Sequence, residues 1–122
     1  MRNSITIVDC QWYYKFSDRK FYMDEALCKG SKYIKAPYID SIELKRNFVD
    51  SRTVKYKELF LEIEKNYQDI VMKNSIDNKE FFLSCFDEFI RLYPEVKSMW
   101  IDYANSKEKD MILEWRKANN AW

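Results

Sequence analysis

Phe81-Phe82-Leu83-Ser84-Cys85-Phe86-Asp87-Glu88-Phe89-Ile90, followed by Tyr93-Pro94 and a run through Trp100 to Trp115, holds the densest apolar periodicity in this 122-residue chain. Phe82, Cys85, Phe86, Phe89 and Ile90 recur at helical spacing, and Phe81 and Leu83 widen the stripe. The segment therefore predicts an amphipathic helix at the centre of a small helical layer. Its start is marked by Asp77-Asn78-Lys79-Glu80, an acceptor at the N-cap with Glu three residues on. Its end is marked by Tyr93-Pro94, because the residue before a proline is pushed out of the α region. Pro94 suits the first position of a following helix, where its missing N–H costs nothing. That helix carries Val96, Met99, Trp100 and Tyr103. Asn105-Ser106 predicts a break and a new N-cap, opening a last helix with Met111, Ile112, Trp115 and Ala118 on one face. Trp100 and Trp115, on consecutive helices, are both expected to be largely buried.

Upstream, Asp40-Ser41-Ile42-Glu43 repeats the capping spacing and opens a short helix with Ile42, Leu44, Phe48 and Val49. Asp50-Ser51-Arg52-Thr53 interrupts it. Tyr56, Leu59, Phe60, Ile63, Tyr67, Ile70 and Val71 then form the longest clean helical stripe, with Glu58, Glu62 and Asn66 on the polar side and Asn74-Ser75 closing it.

The N-terminal third has a different period. Ile5–Phe16 reads as strand, with Val8, Cys10, Trp12, Tyr14 and Phe16 on one face and Ile5 and Ile7 on the other. The change of face near Asp9 marks a bulge. Ser17-Asp18-Arg19-Lys20 is a polar turn, Phe21-Tyr22-Met23-Asp24 a second strand, and Tyr33-Ile34-Lys35 a third short one. Gly30, the only glycine, is available for a positive φ. A hairpin is barely stable alone, so this one must lie on the helices. The expected fold is α+β: a small antiparallel hairpin or three-stranded sheet packed on a layer of about five helices. The length fits one domain over 1–122, strand-rich in 1–36 and helical in 37–122.

Composition bounds the function. Hydrophobic residues are 47% and charged residues 34%, which is globular rather than disordered. No apolar run is long enough to span a membrane, and Met1-Arg2-Asn3-Ser4 leads into no signal-type stretch. Cys10, Cys28 and Cys85 are odd in number and widely spaced, which reads as reduced, mostly buried thiols in a cytoplasmic protein. The net charge is +1, divided as 12 Lys/Arg against 7 Asp/Glu in residues 1–57 and 9 against 13 in 58–122. Each half is thus biased toward a partner of opposite sign, although ordinary surface variation also produces such a split.

The chain contains no histidine, which removes Ser-His-Asp and Cys-His catalysis, any His-bearing zinc site and the usual general base. Three dispersed cysteines form no Cys-x-x-Cys pair and no Cys₄ zinc site, and no glycine-rich phosphate loop is present. Asp24-Glu25 and Asp87-Glu88 are adjacent carboxylates whose side chains diverge on a regular element, so they read as solvated charges. An enzyme using only Asp, Glu, Lys and Tyr stays open as a third reading, but no constellation points to one, and no catalytic residue, metal site or cofactor is expected.

The hairpin carries the functional interest. Trp12, Tyr13, Tyr14, Phe16, Phe21 and Tyr22 are interleaved with Lys15, Arg19 and Lys20. Aromatic strands with basic neighbours serve as single-strand nucleic-acid platforms, and Trp, Tyr and Arg also dominate protein-contact hot spots. The plainer reading is that the even-numbered aromatics pack on the helices and the cations are solvated. The candidate binding residues are Tyr13, Lys15, Arg19, Lys20 and Tyr22.

Leu83-x-x-Phe86-Asp87-Glu88-Phe89, Trp100-Ile101-Asp102-Tyr103, Trp115 and Asn119-Asn120 resemble the tail of the bacterial uncharacterised protein family 0158. There a Phe-rich helix leads to a Trp-Tyr-x-Phe segment and a final helix with a second Trp. Ile34-Lys35-Ala36-Pro37-Tyr38-Ile39-Asp40, leading into Leu44 and Phe48, is similar to that family's segment before a short helix. The resemblance implies architecture and no active site. Together these readings lead to the expectation of a cytoplasmic, non-enzymatic binding module. Its concrete form is an inhibitor or immunity-type protein that covers another protein; the alternative is a nucleic-acid-binding regulator using the hairpin.

Overall fold

The structure, a computed structural model, describes residues 5–74 and 77–122, without the side chains of residues 69–74. Ile70, Val71 and Ser75, assigned above to one helical stripe and its end, lie outside the described side chains and residues. The protein is α+β. The order is β1 (Tyr13–Lys15), β2 (Lys20–Tyr22), a 3-10 turn (Glu25–Cys28), β3 (Tyr33–Lys35), α1 (Ser41–Asp50), α2 (Val54–Asn74), α3 (Asn78–Leu92) and α4 (Pro94–Asn119). The strands form one antiparallel sheet in the order β2-β1-β3. The chain divides into two compact units, Ile42–Ala104 and Met1–Ser41 with Asn105–Trp122.

In the helical unit, α3 starts where its capping residues place it. Asp77 is extended and its carboxylate accepts from the Glu80 N–H at 2.8 Å, satisfying a donor the first turn leaves unpaired. Leu92 is the last helical residue, Tyr93 is extended, and Pro94 opens α4. Phe82, Cys85, Phe86 and Phe89 of α3 are buried with Phe48 and Val49 of α1, Phe60 and Ile63 of α2 and Val96 of α4. The rings meet edge to face: Phe86 and Trp100 at 5.1 Å between centroids, Phe60 and Phe89 at 5.3 Å, Phe48 and Trp100 at 5.5 Å. Such pairs add about 0.5–1.5 kcal/mol beyond their buried area. The turn after α1 is fixed because the Ser51 hydroxyl and Arg52 Nε both donate to the Phe48 carbonyl, at 2.8 and 3.1 Å. The Arg52 guanidinium then lies 4.2 Å from the Phe48 ring centroid.

The break expected at Asn105-Ser106 does not occur; α4 runs through it. Neither residue is Gly or Pro, both point to solvent, and each costs a helix only a fraction of a kcal/mol relative to Ala. The described residues therefore hold four α-helices where about five were expected. Trp100 and Trp115 lie on the same helix, and both are half-buried rather than largely buried.

The sheet unit also departs from its reading. The strand expected over Ile5–Phe16 forms a ladder only at Tyr13–Lys15. Asp9 adopts φ +57°, which stops the alternation before the ladder begins. The segment ahead of it instead pairs with Ile39: the Ile39 N–H donates to the Ile7 carbonyl at 2.9 Å, and the Asp9 N–H to the Ile39 carbonyl at 2.7 Å. The inward residue before Asp9 is therefore Ile7, fully buried, while Val8, Cys10, Trp12 and Phe16 are only half-buried. After Asp9 the expected parity returns at Tyr14, which is 1% exposed and meets the Trp115 ring at 5.9 Å between centroids. Gly30 has φ +86°. α4 ends with Asn120 at φ +52° and the Ala121 N–H bonded to the Arg116 carbonyl at 3.0 Å, a Schellman-type stop that buries Ala121. That stop leaves the Trp122 main-chain oxygen to accept from the Tyr14 hydroxyl at 2.7 Å.

Among the described residues no helix is long and apolar enough to cross a membrane. All three cysteines are free; Cys28 and Cys85 are buried and Cys10 is half-buried. Burial pushes the Cys85 thiol up to about 11, with the nearby Glu64 carboxylate adding to the shift.

Candidate functional site

Antiparallel pairing sorts the sheet into two faces. Tyr14 sits between Phe21 and Ile34, and these three share the face that meets Trp115. On the other face Tyr13 lies opposite Tyr22 on one side and Lys35 on the other, while Lys15 lies opposite Lys20 and Tyr33. Because alternate residues share a face, three tyrosines and three lysines form a two-by-three grid with no carboxylate in it.

Of the candidate binding residues, the structure brings Tyr13, Lys15, Lys20 and Tyr22 together on this grid. Arg19 stands apart at the hairpin turn with φ +58°, where its guanidinium donates to the Trp122 main-chain oxygen at 3.3 Å. Two members went unassigned in the sequence reading, Tyr33 and Lys35 of β3. Their signal was present: Tyr33-Ile34-Lys35 alternates, and pairing β3 beside β1 puts both on the face of Tyr13.

The grid is partly engaged from within. Lys15 Nζ donates to the Leu27 carbonyl of the 3-10 turn at 3.3 Å and lies 5.5 Å from the Tyr22 ring centroid. The Tyr33 hydroxyl donates to Glu25 at 2.9 Å, so the 3-10 turn lies over this side of the sheet. The Tyr22 hydroxyl donates to Asp18, and the Tyr13 and Tyr33 rings meet edge to face at 6.2 Å. Each carboxylate bond favours the protonated phenol: hydrogen bonding to Asp18 holds Tyr22 above its ordinary value, and bonding to Glu25 does the same for Tyr33. The same Tyr22 hydroxyl holds Asp18 below the usual carboxylate range.

The result is a set of three half-buried, oriented tyrosines with the exposed ammonium groups of Lys20 and Lys35 at its edges. Met23 and Leu27, 58% and 56% exposed, add apolar surface directly after β2 and on the 3-10 turn. The sheet unit carries 11 Lys/Arg against 8 Asp/Glu, and the helical unit 10 against 12. Chemically the grid is suited to recognition: it presents donors, cations and ring surface. Among the described residues no cluster of His, Cys, Asp and Glu could hold a metal ion.

No family model matches the chain, and no curated protein or solved structure matches it.

Proposed function

We propose that this protein is a non-enzymatic binding module, of the inhibitor or immunity-protein kind, that covers an acidic face of a protein partner with the Tyr/Lys side of its sheet. The observation that carries the proposal is the grid of Tyr13, Tyr22 and Tyr33 with Lys15, Lys20 and Lys35. Tyrosine supplies a large amphipathic contact with few rotatable bonds, so little entropy is lost on binding. The hydroxyl bonds to Asp18 and Glu25 reduce that loss further by orienting two of the rings before contact. Lysines at the edges steer an acidic partner toward the face. The non-enzymatic half of the proposal rests on the sequence offering no catalytic constellation: no histidine, no Cys-x-x-Cys pair and no glycine-rich phosphate loop.

Protein is favoured over nucleic acid by how the rings are used. Base stacking needs an open ring face. Here Lys15 sits over Tyr22, and Tyr13 is set edge-on to Tyr33.

The test is affinity capture from extracts of the source cell, with and without nuclease. It compares the native chain with a Tyr13→Ala/Lys20→Glu/Lys35→Glu variant. Lys20 and Lys35 are exposed, so their replacement should shift stability by less than ~0.5 kcal/mol each. One protein retained by the native chain after nuclease, and lost by the variant, is the expected result. Loss of everything on nuclease treatment, with capture that falls steeply with salt, would transfer the role to nucleic-acid binding. Undiminished capture by the variant would remove this face altogether.

A further inference from the structure

We propose a second binding site, in the helical unit and separate from the sheet face: a cleft between α1 and α2, floored by α3, that takes a short peptide segment of a protein partner. The segment is one with a large apolar side chain flanked within about one helical turn by an acidic and a basic residue.

The cleft has a volume of about 300 Å³ and is lined by Val49, Phe60 and Phe82 among its apolar residues. That lies at the small end of ligand cavities, ~300–1,000 Å³, and suits a single anchor side chain better than an entire cofactor. Leu61 also lines it and is 54% exposed, leaving an apolar wall that the unit itself does not cover. Val54, 69% exposed, stands seven residues before Leu61 and so lies on the same side of α2. A partner seated in the cleft therefore has apolar surface to meet beyond it.

Charge complementarity chooses the occupant. Arg46 and Asp50 line the cleft from α1, one helical turn apart, and Lys57 and Glu64 line it from α2. Each wall thus offers one cation and one carboxylate. None of the four forms a salt bridge with another described residue, although the Arg46 charge acts on Glu64. The Arg46 guanidinium is held in place by the Phe82 ring, 4.4 Å from its centroid. Charges of both signs around an apolar floor repel an anionic polymer as much as they attract it. They match a segment that carries both signs on either side of an apolar anchor, where each charge finds its opposite as the anchor displaces water from the exposed Leu61 wall.

The probe is a displayed library of random twelve-residue peptides, selected against the full chain. Enriched sequences are expected to share the apolar anchor with an acidic and a basic neighbour. Their binding should fall at least tenfold with Leu61→Glu and with Asp50→Lys, two exposed positions whose variants are checked for native circular dichroism. Binding should be unchanged by Lys20→Glu/Lys35→Glu, which tests the sheet face instead, so the two sites can fail independently. No enrichment would overturn the proposal. So would a consensus without the mixed charges, or binders indifferent to both cleft variants. A concentration-dependent dimer in sedimentation that Leu61→Glu abolishes would overturn it as well, because the occupant would then be a second copy of this chain.

Discussion

The helical unit and the sheet unit use the same kinds of residue and are held together differently. In the helical unit, Phe48, Phe60, Phe82, Phe86 and Phe89 are all buried and come from one continuous stretch of chain. In the sheet unit the fully buried side chains are Ile7, Tyr14, Cys28 and Ala121, drawn from both ends of the sequence. Its ties are polar and very long in sequence. Glu108 accepts from the Ile7 N–H at 2.8 Å and from the Thr6 hydroxyl at 2.9 Å, and the Tyr14 hydroxyl reaches the Trp122 oxygen at 2.7 Å. One unit is thus held by a periodic apolar stripe, the other by a few hydrogen bonds around a small core. Closing such long separations is entropically unfavourable, though the penalty grows only slowly with length.

That contrast is broken most directly through the rings. Phe86→Ala removes a side chain with no exposed surface that touches Phe48, Phe82 and Trp100, and should cost ~3–5 kcal/mol in urea unfolding. Trp115→Ala, in the sheet unit, removes a larger ring that is only half-buried, against Tyr14 and Phe21, and should cost less. Equal losses would mean that the sheet unit relies on apolar burial as heavily as the helical one.

The next two effects sharpen it. Asp77→Ala deletes the side-chain acceptor at the start of α3 and should lower stability by about 0.5–2 kcal/mol, with Asp77→Asn restoring most of it. Tyr14→Phe keeps the buried ring and deletes only the hydroxyl bond to the Trp122 oxygen. A loss of about 0.5–1.5 kcal/mol is expected, together with faster amide exchange at Ala121. An unchanged midpoint and unchanged exchange would show that this long-range tie does not hold the sheet unit.

Legibility in the sequence followed the same division. The α3 stripe, its Asp77 cap, the Tyr93-Pro94 stop and the interruption at Asp50-Ser51-Arg52-Thr53 were all readable, because each is set by residues within a turn of one another. So was the parity that sends Tyr14 inward. Asn105-Ser106 misled because capping residues signal a start only where the chain actually leaves the helix, and here they remain on its wet side. The change of face near Asp9 was readable, but not the positive φ that makes it or the pairing of the preceding segment with Ile39, which is distant in sequence. The grid was only partly visible: Tyr33 and Lys35 join it through the β1–β3 pairing, which spans about twenty residues and is not a local pattern. The cleft was not legible at all, since Arg46, Lys57 and Glu64 look like ordinary solvated charges until α1 and α2 are placed beside Phe82.

The smallest effect expected is at Glu64, where partial burial raises the carboxyl above its ordinary value and the Arg46 charge pulls it partly back. A carboxyl whose folded value is raised binds protons more readily in the native than in the unfolded state. Between the unfolded and folded values, stability therefore falls as pH rises, and above the folded value the deficit is constant. Asp18 and Glu88 act in the opposite sense. Their values are lowered by bonds from Tyr22 and Arg91, so their contributions are complete above the unfolded value and fade as pH falls. The overall pH profile mixes the three, but Glu64→Gln isolates one. The variant should be more stable than the native chain at pH 7, and its advantage should shrink toward pH 4, in paired urea titrations. Arg46→Gln should enlarge the advantage of Glu64→Gln at pH 7, because the native carboxylate would then be desolvated without its compensating cation. If Glu64→Gln is instead destabilising at pH 7, the attraction to Arg46 outweighs the cost of burying the carboxylate, and this wall of the cleft is not free to receive a cation from a partner.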